Sequence, residues 1–264
     1  RAHPGGRPRA RGLKGHERGM LHSLAVSFVV ALVLVRLLAS DAARALALDR
    51  PNERSLHTRP TPRLGGLGLL AGTAWAWIAS RNSIAVGLAL PLLILVAVSL
   101  ADDLVDMPAL GRFLAQLAAA ALFLATATSM PWLWWPVLIV AIAWSANLFN
   151  FMDGSDGLAG GMALFGFGSY AIVAWLAGDG VLAATAASVA AAAAGFLVWN
   201  FHPARIFMGD SGSVPMGFLA AALGIVGVER GSWSLWLPAL VFSPFLFDAT
   251  VTLLRRLLRG DKVW

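Results

Sequence analysis

The sequence contains no cysteine and little charge. Without cysteine, this chain of 264 residues has no disulfide, no thiolate nucleophile and no cysteine-ligated zinc or iron–sulfur site. A bound metal would therefore take oxygen or imidazole ligands, which favours Mg²⁺ or Mn²⁺. Charged residues make up 13% of the chain, whereas soluble domains contain about a quarter. This composition excludes an ordinary soluble domain.

Long apolar runs make up most of the chain. Hydrophobic residues make up 58% of the chain, and runs near the length of about 20 residues that a spanning helix needs recur from Leu21 to Leu254. We predict an all-α fold, a polytopic membrane helix bundle with about nine transmembrane helices in one domain at 20–264. The predicted spans are 21–38, 64–80, 84–100, 113–130, 132–150, 158–177, 180–199, 213–228 and 234–254.

Residues 1–19 form a basic segment rich in glycine and proline that precedes Met20 and the first apolar run. We expect a disordered or non-native tail and a native start at Met20. Much of the formal charge of +6 lies in this tail and in loops, and no aromatic residues are interleaved with it. We therefore predict no nucleic-acid partner.

The basic residues of the predicted loops are unevenly distributed between the two sides of the membrane. If the first span crosses from outside to inside, the outer loops hold only Arg81 and Arg230. The inner loops hold Arg44, Arg50, Arg54, Arg59, Arg63, Arg112, Arg205, Arg255, Arg256, Arg259 and Lys262. By the positive-inside rule, we predict an outer N-terminus and a cytoplasmic C-terminus. The polar loop segments then all lie on the cytoplasmic face.

The most informative polar segment is NLFNFMDGSDGL at 147–158, at the end of a long apolar run. Asn147, Asn150, Asp153 and Asp156 recur every three residues, which places them near one face of a helical turn. We interpret this segment as one wall of a metal and phosphate site.

Two further segments on the same face carry charge. Asp102 and Asp103 end the third span, where the helix dipole and their mutual repulsion oppose them. A divalent cation or a proton-transfer role would explain them, and a solvated helix end is the alternative. Arg112 lies at the start of the fourth span. Its guanidinium would either bind a phosphate or extend to the membrane–water interface. Asp210 lies between two glycines in FMGDSGS, and this motif does not fit a G-x-S-x-G nucleophile elbow.

Four motifs together resemble the polyprenyl-phosphate N-acetylhexosamine-1-phosphate transferases of glycosyltransferase family 4. They are PTPRLGG at 60–66, the Asp pair at 102–103, NLFNFMDGSDGLAGG at 147–161 and PARIFMGDSGS at 203–213. The resemblance implies transfer of N-acetylhexosamine-1-phosphate from a UDP-sugar such as UDP-GlcNAc to undecaprenyl phosphate, releasing UMP. It implies an enzyme of the bacterial inner membrane, and it is greatest with the members that initiate O-antigen and lipopolysaccharide synthesis.

The resemblance also implies roles for individual residues. Asp210 and Asn150 would bind Mg²⁺, with Mn²⁺ as the alternative metal, and Asp102 and Asp103 would be catalytic as base or orienting groups. The substrate-binding residues that it implies are Arg112, Asp153, Asp156 and Phe207. Of these, Phe207 would stack on uracil and Arg112 would contact the diphosphate. Apart from the resemblance, we also predict substrate contacts for Asn147, Arg63 and His57.

Several alternatives remain open at this stage. The substrate could instead be that of the phospho-MurNAc-pentapeptide transferases, and other classes are a small secondary transporter or an inactive lipid-binding scaffold. Relatives continue after the ninth span with a histidine-containing cytoplasmic segment, whereas this chain stops at RRLLRGDKVW. We expect it to lack that segment. A homodimer is the alternative to a monomer.

Overall fold

The structure, a computed structural model, describes residues 8–40, 47–49, 60–105 and 107–260. In this part of the chain every predicted span contains a helix. The helices are α1 Pro8–Leu38, α2 Gly65–Ala79, α3 Ser83–Val105, α4 Ala109–Ala127, α5 Trp135–Met152, α6 Leu158–Leu176, α7 Gly180–Asn200, α8 Asp210–Glu229, α9 Trp236–Val241 and α10 Ser243–Arg259. A 3₁₀ turn at Trp132–Trp134 precedes α5, and strands β1 Leu48–Asp49 and β2 Thr61–Pro62 pair antiparallel.

The prediction of an all-helical bundle is confirmed, but fewer helices than expected have the length of a full span. Among the described residues, seven helices are long and apolar enough to cross a membrane: α1 from Met20, α3, α4, α5 with its 3₁₀ turn, α6, α7 and α8. Helix α2 has 15 residues, which at 1.5 Å per residue gives about 22 Å against a hydrocarbon core of about 30 Å.

The predicted ninth span is broken into α9 and α10. The break precedes Pro244, whose missing N–H removes a helical hydrogen bond and whose ring crowds the preceding turn. At the other end of the chain, α1 begins at Pro8 and includes residues 8–19 of the segment that we predicted to be a disordered or non-native tail. Proline at the first helical positions is favourable, which suits this start. The non-native origin of the segment stays a prediction.

Helix α8 lies at the centre of the bundle, with 89% of its apolar segment buried. Its sequence is rich in glycine and alanine, which lets neighbouring backbones come close. A Cβ atom on Gly217 would lie 2.2 Å from the Ser145 carbonyl oxygen of α5. The Ser145 hydroxyl also donates a hydrogen bond of 2.7 Å to the Gly217 carbonyl. Helices α5 and α8 therefore cross with their backbones in contact.

Asp179, Arg230 and Ser232 form a polar cluster, called the clip below, that joins the α6–α7 connection to the end of α8. Asp179 caps α7 by accepting a hydrogen bond from the Leu182 amide, and its carboxylate pairs with Arg230 at 2.5 Å. The Ser232 hydroxyl donates a further hydrogen bond of 3.1 Å to Asp179. Chiefly through the hydrogen bonds from Arg230, this environment lowers the pKa of Asp179.

Substitution of Gly217 tests the α5–α8 crossing. We expect Gly217→Ala to lower the free energy of unfolding by about 1–3 kcal/mol, because its methyl group overlaps the α5 backbone. Gly168→Ala in α6 is the matched control, since a Cβ there has no neighbour within 4 Å and alanine favours helix. Thermal unfolding in detergent distinguishes the two, and equal effects of both variants would contradict the crossing.

The clip should give the protein an acid-sensitive component of stability. Because the folded pKa of Asp179 is below its ordinary value, its contribution is present at neutral pH and is lost as the pH falls below about 4. Asp179→Asn should therefore be less stable than the parent at pH 7, and this difference should shrink at pH 3. Chemical unfolding at both pH values measures it, and a constant difference would argue against the ion pair as its source.

Candidate active site

One cavity of about 460 Å³ opens between α3, α4, α5 and α8 at the end of the bundle that carries the Asp pair and the motifs at 147–161 and 203–213. Its polar lining consists of Arg112, Asn147, Asn150 and Asp210, together with Ser99 and Gln116. Its apolar lining includes Phe113 of α4 and Trp144 and Phe151 of α5. The structure thus brings four of the predicted site residues to one cavity and gives that cavity an apolar wall.

Two carboxylates converge on Arg112. Its guanidinium Nη1 lies 2.5 Å from Asp102 Oδ2 and 3.3 Å from Asp210 Oδ2. The other Asp102 oxygen accepts a hydrogen bond of 2.7 Å from the Met107 amide, which fixes the carboxylate at the turn between α3 and α4. Arg112 therefore faces the cavity and links Asp102 of α3 to the first residue of α8. Its predicted contact with the diphosphate stays a prediction.

The loop that leads into α8 is held against the PTPRLGG segment by backbone hydrogen bonds. The Phe207 amide donates to the Pro62 carbonyl, and the Gly65 and Gly66 amides donate to the Phe207 and Met208 carbonyls at 2.8–2.9 Å. Gly209 lies where the loop and the PTPRLGG segment come closest. It has a φ of 73°, and a Cβ atom there would lie 1.8 Å from the Arg63 carbonyl oxygen. Only glycine fits this position.

Four consecutive backbone amides at the start of α8 donate to two carboxylates. Asp153 accepts from Met208 at 3.3 Å and from Gly209 at 2.7 Å. Asp103 accepts from Asp210 at 3.3 Å and from Ser211 at 2.9 Å. A helix start attracts anions, and here the anion is the protein's own Asp103.

Arg63 lies next to Asp103, with 3.5 Å between Arg63 Nε and Asp103 Oδ1. It also donates a hydrogen bond of 2.8 Å to the Asp103 carbonyl. Arg63 was predicted to bind substrate, and the structure places it beside the site as the partner of a buried carboxylate. Its role in substrate binding stays a prediction.

The two aspartates of the 147–158 segment hold loop backbone. Desolvation of the Asp153 carboxylate, opposed by its hydrogen bonds from Gly209 and Met208, raises its pKa to about 7. Asp156 Oδ2 is 2.8 Å from His202 Nδ1 and accepts a hydrogen bond of 3.0 Å from the Ala204 amide. Both residues therefore position the 201–209 loop, and their predicted contacts with a nucleotide stay predictions.

The two asparagines of the same segment line the cavity. Asn150 donates to the Ser213 hydroxyl at 3.2 Å, and Asn147 donates to Gln116 at 2.6 Å. Phe207 is 2% exposed, so stacking on uracil would require its ring to become accessible. His57, also predicted to bind substrate, lies outside the described residues.

Sequence reasoning missed Asn200, which joins the two longest motifs. This buried side chain accepts a hydrogen bond from the Gly157 amide at 3.1 Å and donates one to the Ile206 carbonyl at 3.0 Å. The signal in the sequence was a side-chain amide at the end of the apolar helix α7. Such a group, when buried, needs hydrogen-bond partners for both its oxygen and its nitrogen.

Comparison with known proteins identifies the family of this chain. Residues 85–228 match glycosyl transferase family 4. The chain belongs to this family. As a member, it is a phosphoglycosyl transferase, an enzyme that transfers a sugar-1-phosphate. The family and the enzyme class that the motifs predicted are thereby confirmed.

Three relatives of this transferase illustrate its similarity. It is 29% identical over 261 residues to a probable undecaprenyl-phosphate N-acetylglucosaminyl 1-phosphate transferase of Bacillus subtilis, an alignment that covers 90% of this chain and 72% of that protein. It is 31% identical to a decaprenyl-phosphate N-acetylglucosaminephosphotransferase of Mycobacterium tuberculosis, covering 82% and 62%. It is 28% identical to a phospho-N-acetylmuramoyl-pentapeptide-transferase of Halalkalibacterium halodurans, covering 81% and 77%.

The family is Mg²⁺-dependent, and the donor set of this transferase fits that ion. Asp102, Asp210 and Asn150 offer only oxygen ligands, and two of their carboxylates already converge on one cation, Arg112. Within the described residues, no three His, Asp or Glu side chains form a metal cluster. Mg²⁺ is commonly bound by one or two carboxylates together with substrate phosphates, so a smaller donor set is sufficient.

Gly209 offers a direct test of the loop geometry. We expect Gly209→Ala to lower the free energy of unfolding by at least about 2 kcal/mol, because alanine disfavours this φ and its Cβ would overlap Arg63. Gly154→Ala, in the neighbouring segment, is the control, since a Cβ there meets nothing within 4 Å. Thermal unfolding compares them, and a Gly209→Ala protein as stable as the control would refute the close approach.

Proposed function

We propose that this protein transfers N-acetylglucosamine-1-phosphate from UDP-N-acetylglucosamine to undecaprenyl phosphate, giving the undecaprenyl-diphosphate sugar and UMP. The observation that carries this proposal is a cavity with charged groups at one end and an apolar wall on α4 and α5. A polyprenyl phosphate has the same division into an anionic head and an apolar tail. The B. subtilis and M. tuberculosis relatives both act on polyprenyl phosphates according to their names.

In the proposed reaction, an oxygen of the acceptor phosphate forms a bond to the β-phosphorus of the donor. The bond between that phosphorus and the bridging oxygen breaks, and UMP leaves. Both reactants are anionic, so the site must neutralise charge. Arg112 would bind a phosphate through its forked donors, and Asp210 and Asn150 would hold Mg²⁺. When bound, this ion supplies neutralisation of the diphosphate.

The Asp pair has two distinct proposed roles. Asp102 contacts Arg112 beside the cavity, so we assign it the orientation of the acceptor phosphate or the acceptance of its proton. Asp103 is 4% exposed and accepts hydrogen bonds from the Asp210 and Ser211 amides, so we assign it the positioning of Asp210. Asp153 and Asp156 would add nucleotide contacts through the loop that they hold.

The proposed orientation places the cavity on the cytoplasmic side, where UDP-sugars are made. Exposed Trp132 and Trp134 lie at the opposite end of α5 from Asn147 and Asn150, which suits an outer aromatic belt. The N-terminus would be outside and the C-terminus inside. The reaction would be the first membrane step of an envelope polysaccharide such as O-antigen.

A UMP-release assay with the full chain in detergent tests the function. With UDP-N-acetylglucosamine, undecaprenyl phosphate and Mg²⁺, we expect release that depends on all three components. Asp210→Asn should lower kcat by at least about 100-fold, because the site loses a charge that meets the metal and Arg112. Asp179→Asn is the control, because it removes a carboxylate at the far end of the bundle and should leave the activity unchanged.

The same assay separates the alternatives. UMP release without the lipid would refute the proposal, as would full activity of Asp210→Asn. Turnover only with UDP-N-acetylmuramoyl-pentapeptide would favour the function named for the H. halodurans relative. A separate experiment uses liposomes that contain the protein. Labelled UDP-sugar that crosses their membrane without being converted would identify a transporter.

A further inference from the structure

A second large groove lies between α2 and α3 on the lipid-facing side of the bundle. It has a volume of about 640 Å³, within the range of about 300–1,000 Å³ typical of small-molecule sites. Its lining is mostly aliphatic, and Leu219 of α8 contributes to it. Ile78, Val86 and Leu93 are 75%, 78% and 65% exposed, so the groove is open to the bilayer.

Helix α3 separates this groove from the active-site cavity. Leu95, Val98 and Ser99 line the cavity, whereas Leu92, Leu93 and Val96 line the groove. The acceptor tail that leaves the cavity along α4 and α5 would therefore not fill the groove. A specific apolar ligand of the groove would thus be a different molecule.

Most polar groups of the groove already have partners within the protein. Thr73 donates to the Leu69 carbonyl, and the Trp77 indole donates to the Thr185 carbonyl. Asn82 donates to the Thr185 hydroxyl and caps α3 by accepting from the Ile84 and Ala85 amides. The groove thus offers apolar surface along its length and one charged side chain, Arg81, at its end.

Arg81 occupies an unusual position. It follows the C-cap of α2 with a φ of 50°, the left-handed conformation in which glycine is the usual residue. In the described part of the chain, Arg81 makes no ion pair, whereas Arg230 pairs with Asp179. In the proposed orientation it is also a cation on the outer side, where arginine is disfavoured. An anionic ligand would account for the missing ion pair and for the arginine on the outer side, whereas the left-handed backbone is a usual way to end a helix.

We propose that the α2–α3 groove binds one acyl chain of an anionic diacyl phospholipid, with the lipid phosphate on Arg81. The guanidinium provides the forked donors that match a phosphate, and the groove provides a lipid-facing apolar channel beneath it. The net negative charge favours a phosphatidylglycerol over a zwitterionic lipid. This site is separate from the substrate cavity. The inference rests on the proposed function for the membrane orientation and for the path of the acceptor tail, but lipid binding is measured without turnover.

Native mass spectrometry of the full chain in detergent tests the site with dioleoyl phosphatidylglycerol and dioleoyl phosphatidylcholine. We expect the first phosphatidylglycerol to bind about five-fold more tightly than the first phosphatidylcholine, as one arginine at a membrane surface would give. Arg81→Gly should abolish this preference while folding at least as stably, because glycine adopts the observed φ readily. Arg81→Lys should retain most of the preference.

Two further variants test where on the protein the phospholipid binds. Ala89→Phe places a ring in the groove and should weaken the first binding event for both lipids. Arg259→Gln removes an exposed arginine from α10 and should leave the preference intact. A preference that survives Arg81→Gly, or binding that Ala89→Phe does not change, would overturn the proposal. Loss of a dimer in Ala89→Phe without loss of lipid would show that a second copy of the chain covers the groove.

Discussion

The site depends on the hydrogen bonds that the Asp103 and Asp153 carboxylates accept from four consecutive backbone amides. The two carboxylates come from the end of α3 and from the residue after α5, and the amides belong to residues 208–211. Charge-assisted hydrogen bonds of this kind are stronger than neutral ones and define direction as well as distance. They fix the start of α8 relative to α3 and α5. The Asp210 side chain is thereby directed into the cavity beside Arg112.

This arrangement requires backbones to approach more closely than side chains normally allow. A Cβ atom on Gly66 would lie 2.2 Å from the Gly212 Cα atom, and Gly209 and Gly217 show the same constraint against Arg63 and Ser145. In a membrane, burial of apolar surface contributes little to helix association, so close packing and interhelical hydrogen bonds carry more of the stability. The glycines therefore position the charged groups, although they contribute no chemistry themselves.

Apolar run length predicted where helices lie, but it did not reveal where they stop or break. The break before α10 lies next to Pro244, inside an apolar run that looks continuous by hydropathy. The motifs likewise predicted Asn147, Asn150, Arg112 and Asp210 at one site, and these residues do line one cavity. They could not show that Asp153 accepts hydrogen bonds from the 208–209 backbone, because that partnership depends on loop conformation rather than on spacing along the chain.

The adjacent carboxylates of α3 illustrate how tertiary structure resolves a local conflict. Asp102 and Asp103 lie at a helix C-terminus, where the dipole opposes negative charge. Successive helical residues point about 100° apart, so the two side chains reach different partners. Asp103 meets the favourable N-terminus of α8 and Arg63, while Asp102 meets Arg112 and the Met107 amide. Each carboxylate therefore has its own cation and its own backbone donor. Since Asp103 is committed to the amides of α8, Asp102 is the member of the pair whose position suits contact with a substrate phosphate.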